Sequence, residues 1–145
     1  MASSSTRSVV LLPIKPQYAD PILRGTKQVE FRKRPFRRHV THVVVYSSYP
    51  VKQVVGFFEF LGVDEDSPER LWRRYAGVGG IKKIDYDQYY AEKSRGVAIK
   101  VGKVHVLAKP IPLAQIESGL RPPQNYAYLS AQAFDRLRAR GLRRN

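Results

Sequence analysis

Short apolar runs, several of them strictly alternating, are separated along this chain by polar stretches punctuated with Gly and Pro. The pattern predicts five or six strands with short helices between them. Ser8 to Ile14 is rich in Val and Leu and reads as a buried strand. Pro16 to Arg24 puts Tyr18, Ile22 and Leu23 on one side of a short helix. Pro21 predicts a kink or restart after Asp20, and Gly25 supplies the turn that follows. Across Lys27 to Arg32, Val29 and Phe31 point one way while Gln28, Glu30 and Arg32 point the other, the period of a half-buried strand. Val40 to Ser48 and Gln53 to Val63 predict two more strands, the latter with a bulge or close approach at Gly56. Ser67-Pro68-Glu69 combines an N-cap, a proline at the first helical position and an early acid. It therefore starts a helix whose apolar stripe is Leu71, Trp72 and Tyr75. Asp85 is expected to cap a second helix carrying Tyr86, Tyr89 and Tyr90. Gly96 to Val101 and Lys103 to Ala108 predict two further strands, with a short helical piece near Leu113 to Glu117. Ser130 to Arg140 predicts a terminal helix with Ala133, Phe134 and Leu137 inward. No repeat or linker divides the chain. The expected layout is one domain over residues 8–141, with a loose end at 1–7 and a basic end at 142–145.

Composition adds a partner to this picture. With 43% hydrophobic residues the chain can bury a core, yet 26 Lys+Arg against 12 Asp+Glu leave a net charge of +14. Such an excess repels itself in the folded state and calls for an anionic partner, nucleic acid first and a membrane surface second. The charge is clustered: Arg24, Lys27, Arg32, Lys33, Arg34, Arg37 and Arg38 lie in one stretch, and Arg136, Arg138, Arg140, Arg143 and Arg144 in another. Cysteine is absent, which removes disulfides, thiolate metal sites and a cysteine nucleophile. His39, His42 and His105 lack metal-ligand spacing, so neither a metal nor any other cofactor is expected. No apolar run is long enough for a signal segment or a membrane span, and a cytoplasmic location without membrane association is expected.

Gly25-x-Lys27-x-x-Glu30-x-Arg32 is the most informative spacing. It sets a turn glycine, a lysine at a strand entrance, and a carboxylate and guanidinium on one strand face. Its bland reading is a surface salt-bridge cluster. Its functional reading is a pocket with donors for phosphate or carbonyl groups and one acceptor for a base N–H. Trp72, Tyr75, Tyr86, Tyr89 and Tyr90 are expected to pack in the core, whereas Tyr46 and Tyr126 lie beside polar groups at strand ends and are the stacking candidates.

Several of these segments together resemble a known family. Leu12-Pro13-Ile14-Lys15-Pro16 and Gly25-Thr26-Lys27-Gln28-Val29-Glu30-Phe31-Arg32 are similar to the opening of the ASCH (activating signal cointegrator homology) family, of the PUA-like superfamily. Tyr46-Ser47-Ser48 with Pro50, Val54-Val55-Gly56-x-Phe58, Ala98-Ile99-Lys100-Val101 and Pro122-Pro123-Gln124 follow in the matching order, so the resemblance spans roughly Val9 to Leu129. It implies an α+β fold: a small PUA-like β-barrel of five or six strands with short peripheral helices, and a cleft rimmed by the Gly-x-Lys-x-x-Glu-x-Arg segment. Members are thought to bind RNA, and some ASCH-like proteins are amidohydrolases or metal-independent ribonucleases. The amidohydrolase type carries a threonine nucleophile where this chain has Glu30, a departure that argues against deacetylation.

The leading expectation is a nucleic-acid-binding module, RNA before DNA, that holds a nucleotide in a charged cleft with phosphates on a basic rim. The residues expected to contact it are Lys15, Lys27, Glu30, Arg32, Arg34, Arg37, Tyr46, Ser47, Ser48, Gln124 and Tyr126. The alternative is a metal-independent ribonuclease or nucleoside-processing hydrolase, with Lys27 stabilising a charged phosphorane and Glu30 or Tyr46 moving protons. A third possibility is a protein adaptor that uses the tyrosines around Tyr86 to Tyr90.

Overall fold

Strand alternation places apolar side chains on both faces of a mixed sheet. In the computed structural model, which describes residues 7–141, the strands are β1 (Val9–Ile14), β2 (Val29–Arg32), β3 (His42–Ser47), β4 (Gln53–Asp66), β5 (Gly96–Ile111) and β6 (Ala127–Leu129). The helices are α1 (Pro16–Arg24), α2 (Pro68–Tyr75), α3 (Lys83–Tyr89) and α4 (Ala131–Gly141). Spatial order is β2-β5-β4-β3-β1-β6, with β1 and β3 parallel and every other pairing antiparallel. Of the ends expected to be loose or basic, residues 1–6 and 142–145 lie outside the described residues, while Arg7 pairs with Asp135 of α4 at 3.8 Å.

Side-chain parity explains why the central strands are apolar at nearly every position. Val9 and Leu11 of β1, Val44 and Tyr46 of β3, and Phe57 of β4 face α4, where they meet Ala133, Phe134 and Leu137. Their neighbours Val10, Leu12, Val43, Val45 and Phe58 face the other way, onto Ala19 and Ile22 of α1 and onto Val97 and Ile99. A smaller third cluster joins Val29 and Phe31 of β2 to Leu71 of α2 and to Tyr86 and Tyr90 of α3.

The expected barrel does not form. The sheet stays open, because β2 and β6 are its two edges and share no ladder. Both edges are short, four and three residues, which limits further strand pairing. The loop after β2 ties them together by side chains instead: the Arg37 and Arg38 backbone N–H groups donate to the hydroxyls of Tyr126 and Tyr128 at 3.2 and 2.9 Å. Phe36 of that loop packs edge-on against Tyr126, 4.9 Å between ring centroids.

Other differences have local causes. The two strands expected over Gly96–Val101 and Lys103–Ala108 are one strand, since Gly102 is a site of close approach rather than a break. A Cβ there would stand 2.6 Å from the Glu59 carbonyl of β4. Gly56 plays the expected part, with a register shift beside it and no room for a Cβ against His105 and Leu23. Helix α1 contains Pro21 without being divided. Asp85 is not the cap of α3: the helix begins after Lys82, and Asp85 sits inside its first turn. Among the described residues no helix is long and apolar enough to cross a membrane.

Candidate functional site

A cleft of about 510 Å³ opens between α1, β2 and α3, beside the carboxyl ends of β1 and β3. Turn chemistry places its central lysine. Gly25 ends α1 in the left-handed region, φ 86°, and the chain then turns back so that the Thr26 and Lys27 N–H groups both donate to the Pro21 carbonyl. Lys27 enters the cleft floor from that turn and is almost fully buried, with 2% of its surface exposed. Gly80, at φ 63°, lies on its stem; a Cβ there would come within 2.9 Å of Lys27 Cβ, Cγ and Cδ.

The charged floor is a chain of contacts. Lys27 Nζ donates to the Gly79 carbonyl and stands 3.5 Å from Glu30 Oε1. Glu30 Oε2 accepts from Arg32 Nε at 3.1 Å, and an Arg32 terminal nitrogen donates to the Pro13 carbonyl at 2.7 Å. Glu30 and Arg32 do share a strand face, as alternation predicts, while Val29 and Phe31 turn to the third cluster. An ammonium has three N–H donors. Two are committed, to Gly79 and Glu30, which leaves one for a ligand. Burial lowers the Lys27 pKa below the ordinary lysine value, and outweighs the opposing pull of the Glu30 carboxylate. Each Glu30 oxygen faces one cation, so this carboxylate orients Lys27 and Arg32 and keeps a further lone pair on each oxygen to accept a proton.

The walls carry polar and aromatic groups. Gln17 and Tyr18 come from α1, and Asp85, Gln88 and Tyr89 from α3; Lys15, Ser48 and Ile81 complete the rim. Tyr18 and Tyr89 are half-buried, and burial is the main reason that both phenols have raised pKa values. The Asp85 charge adds to the rise at Tyr18, while Arg32 opposes it at Tyr89.

The cleft thus gathers Lys15, Lys27, Glu30, Arg32 and Ser48, five of the residues expected to act together. It does not gather the rest. Tyr46 is only 4% exposed, packed in the cluster that faces α4, and offers no free ring face for stacking. Burial alone raises the pKa of its phenol, with no hydrogen bond contributing. Ser47 is buried at the end of β3. Tyr126 is held edge-on between Phe36 and Tyr128, and Gln124 is exposed away from the cleft lining. Arg34 and Arg37 are exposed on the loop after β2 and make no ion pair among the described residues. The α3 contribution was missed because Tyr86, Tyr89 and Tyr90 read as one packing stripe. Tyr86 and Tyr90 are indeed buried, but Asp85, Gln88 and Tyr89 recur at i, i+3 and i+4 and form a second, cleft-facing stripe.

No protein-family model matches the chain. An ASCH domain-containing ribonuclease of Zymomonas mobilis is 27% identical over 141 residues, covering 94% of this chain and 95% of that protein. The crystal structure of a serine-to-alanine variant of the Zymomonas mobilis ASCH protein superposes with a TM-score of 0.84 at 26% identity, over 92% of this chain and 96% of that one. In sequence and in fold, the chain is similar to ASCH domain proteins over nearly its whole length. A tyrosine-to-phenylalanine variant of the same Zymomonas protein matches with the same TM-score at 24% identity, covering 92% of this chain and 98% of that one. Beyond the ASCH proteins, the N-terminal domain of Staphylothermus marinus McrB shares the fold at 12% identity. Its TM-score is 0.59, over 92% of this chain and 94% of that domain.

Proposed function

We propose that this protein binds single-stranded RNA across the basic rim and cleaves it in the Lys27–Glu30–Arg32 cleft. The observation that carries the reading is the buried Lys27 ammonium in the cleft lining, held by Gly79 and Glu30 with a third N–H that neither of them takes. A fixed donor in a water-poor site stabilises developing charge without having to reorganise during the reaction. The ribonuclease of Zymomonas mobilis, similar over nearly its whole length, supports cleavage over binding alone.

The step is transfer of the phosphodiester to the neighbouring ribose hydroxyl. The 2′-oxygen forms a bond to phosphorus as its proton passes to Glu30, an acceptor-only group when ionised. The bond to the 5′-oxygen breaks, and that oxygen takes a proton from a water molecule, which leaves hydroxide to be neutralised as Glu30 gives up the proton it accepted. The products are a 2′,3′-cyclic phosphate and a 5′-hydroxyl end. Lys27 and Arg32 stabilise the charge on the non-bridging oxygens at the pentavalent stage. The step as written needs no metal ion.

The test is cleavage of a short RNA followed by mass analysis of the ends. We expect cyclic-phosphate and 5′-hydroxyl products that persist in EDTA, no cleavage of the 2′-deoxy oligonucleotide, and loss of cleavage in Lys27→Met. Cleavage that requires a divalent ion, or that Lys27→Met retains, overturns the reading. A second arrangement rests on the Tyr46 hydroxyl, which belongs to the opposite face of β3 and makes no side-chain hydrogen bond among the described residues. Tyr46→Phe abolishing cleavage while Lys27→Met leaves it intact would move the chemistry to that face.

A further inference from the structure

Two carboxylates line the cleft, and only one of them is spoken for. Glu30 is held by Lys27 and Arg32, whereas Asp85, half-buried in the first turn of α3, makes no ion pair or hydrogen bond among the described residues. A free carboxylate repels phosphate, so a nucleotide enters with its phosphate toward Lys15, Lys27 and Arg32 and its base toward α3. Gln88 lies one helical turn beyond Asp85 on the same wall, and its amide can both donate and accept. Tyr89 from α3 and Tyr18 from α1 are half-buried in the same cleft and supply aromatic surface for a base. The volume, about 510 Å³, is in the range of small-ligand pockets.

We infer that Asp85 determines base specificity, accepting paired hydrogen bonds from the adjacent imino and amino groups of a guanine. A carboxylate is acceptor-only, with two oxygens side by side. Guanine alone among the RNA bases presents two adjacent N–H donors on its Watson–Crick edge, with a carbonyl next to them for the Gln88 amide. Adenine and cytosine set one amino group beside a ring acceptor, and uracil sets one N–H between two carbonyls. Each of those edges brings a lone pair against the carboxylate. The edge is reachable only in an unstacked or flipped-out nucleotide, which the single-stranded substrate provides. This inference rests on the proposed binding of RNA in the cleft. The competing structural role is that of an ordinary acid in the first turn of a helix, favourable to the helix and indifferent to ligand.

The experiment measures binding of the four nucleoside 3′-monophosphates and of inosine 3′-monophosphate to the full chain and to Asp85→Asn, with thermal unfolding of both proteins. The expected result is guanosine monophosphate bound roughly ten- to hundredfold more tightly than the other three, the range of one bidentate base contact. Inosine monophosphate, which lacks the 2-amino group, should lose about tenfold or more of that advantage even on the unaltered protein. Asp85→Asn should bring all four bases within about threefold, with the three weak ligands unchanged or slightly tighter because a negative charge has left a cationic cleft. Equal binding of the four nucleotides by a protein that still cleaves RNA sinks the guanine assignment and leaves the cleavage proposal standing. Failure to bind any nucleotide, together with failure to cleave RNA, sinks both. An unchanged guanosine preference in Asp85→Asn, with only a lower unfolding temperature, reduces Asp85 to a helix acid.

Discussion

The cations of the cleft floor and those of the loop after β2 lie close in sequence but differ in kind. Lys27 and Arg32 are bound to each other through Glu30 and to backbone carbonyls of Gly79 and Pro13. Lys33, Arg34, Arg37 and Arg38 are exposed a few residues later; Lys33 and Arg38 lie over the rings of Tyr89 and Tyr128, while Arg34 and Arg37 make no ion pair among the described residues. A buried, paired cation has a fixed direction and a desolvated field, and so suits chemistry at one atom. An exposed cation on a flexible stem attracts phosphate from any direction and suits affinity without selectivity. On the proposed function, the same residue types divide into positioning and attraction according to whether their side chains are paired in the cleft floor or free on the loop.

The largest blow to the floor comes from Glu30→Gln. It leaves the buried Lys27 ammonium without its counter-charge, and breaking one side of a buried pair costs about 3 kcal/mol. Denaturant unfolding should show a loss of that size together with lost cleavage. A change within about 0.5 kcal/mol would place the trio among surface ion pairs.

Gly80→Ala probes the same floor through the backbone. The left-handed φ and the contact with the Lys27 stem together should cost on the order of 1–2 kcal/mol. Cleavage should fall in this variant although no charged group has been changed. Wild-type turnover in Gly80→Ala would mean that the Lys27 stem can shift without consequence.

Alkaline titration separates Lys27 from ordinary lysines. Burial lowers the Lys27 pKa in the folded protein, so the unfolded chain holds that proton more tightly. Stability therefore rises with pH between the depressed Lys27 value and the ordinary lysine value, and Lys27→Met should remove the rise. The buried phenols act in the opposite sense. Tyr86 is pushed up to about 12 by burial and Tyr90 is raised further, so the stability they contribute is lost as pH climbs above the ordinary tyrosine value. Stability measured against pH should thus rise and then fall, with only the rising limb sensitive to residue 27.

The smallest effect belongs to the loop. Arg34→Ala with Arg37→Ala should weaken binding of all RNA sequences alike and flatten the salt dependence by about 0.7 in log K against log salt for each lost phosphate contact. A change in which sequence is preferred would contradict the division between floor and loop.

How much of this was legible in the sequence depended on whether a residue's neighbours were local. The β1, β3 and α4 cores follow from alternation and helical spacing, and the Gly25-x-Lys27-x-x-Glu30-x-Arg32 spacing led to the floor because one turn and one strand contain it. Closure of the sheet was not legible, since it depends on whether β2 and β6 meet across the whole chain, and the Arg37–Tyr126 and Arg38–Tyr128 bonds join residues some ninety positions apart. Tyr46 looked available because its sequence neighbours are polar. The apolar residues that cover it, Val54, Leu113 and Ile116 among them, come from elsewhere. Asp85 was assigned to a cap because a lone acid near a helix start usually is one; that the helix begins after Lys82 and turns residue 85 toward α1 is a tertiary fact.

The central claim is that chemistry belongs to the buried Lys27 and affinity to the exposed loop, and single-turnover cleavage at saturating RNA tests it directly. Saturation removes differences in binding and leaves the rate of the chemical step. The rate should fall about 10²- to 10³-fold in Lys27→Met, the cost of one lost charge-stabilising donor. In the Arg34→Ala, Arg37→Ala double variant it should stay within about twofold of wild type, with more RNA needed to reach saturation. Equal losses in the two variants, or a Lys27→Met enzyme that cleaves at the wild-type rate, would contradict the account.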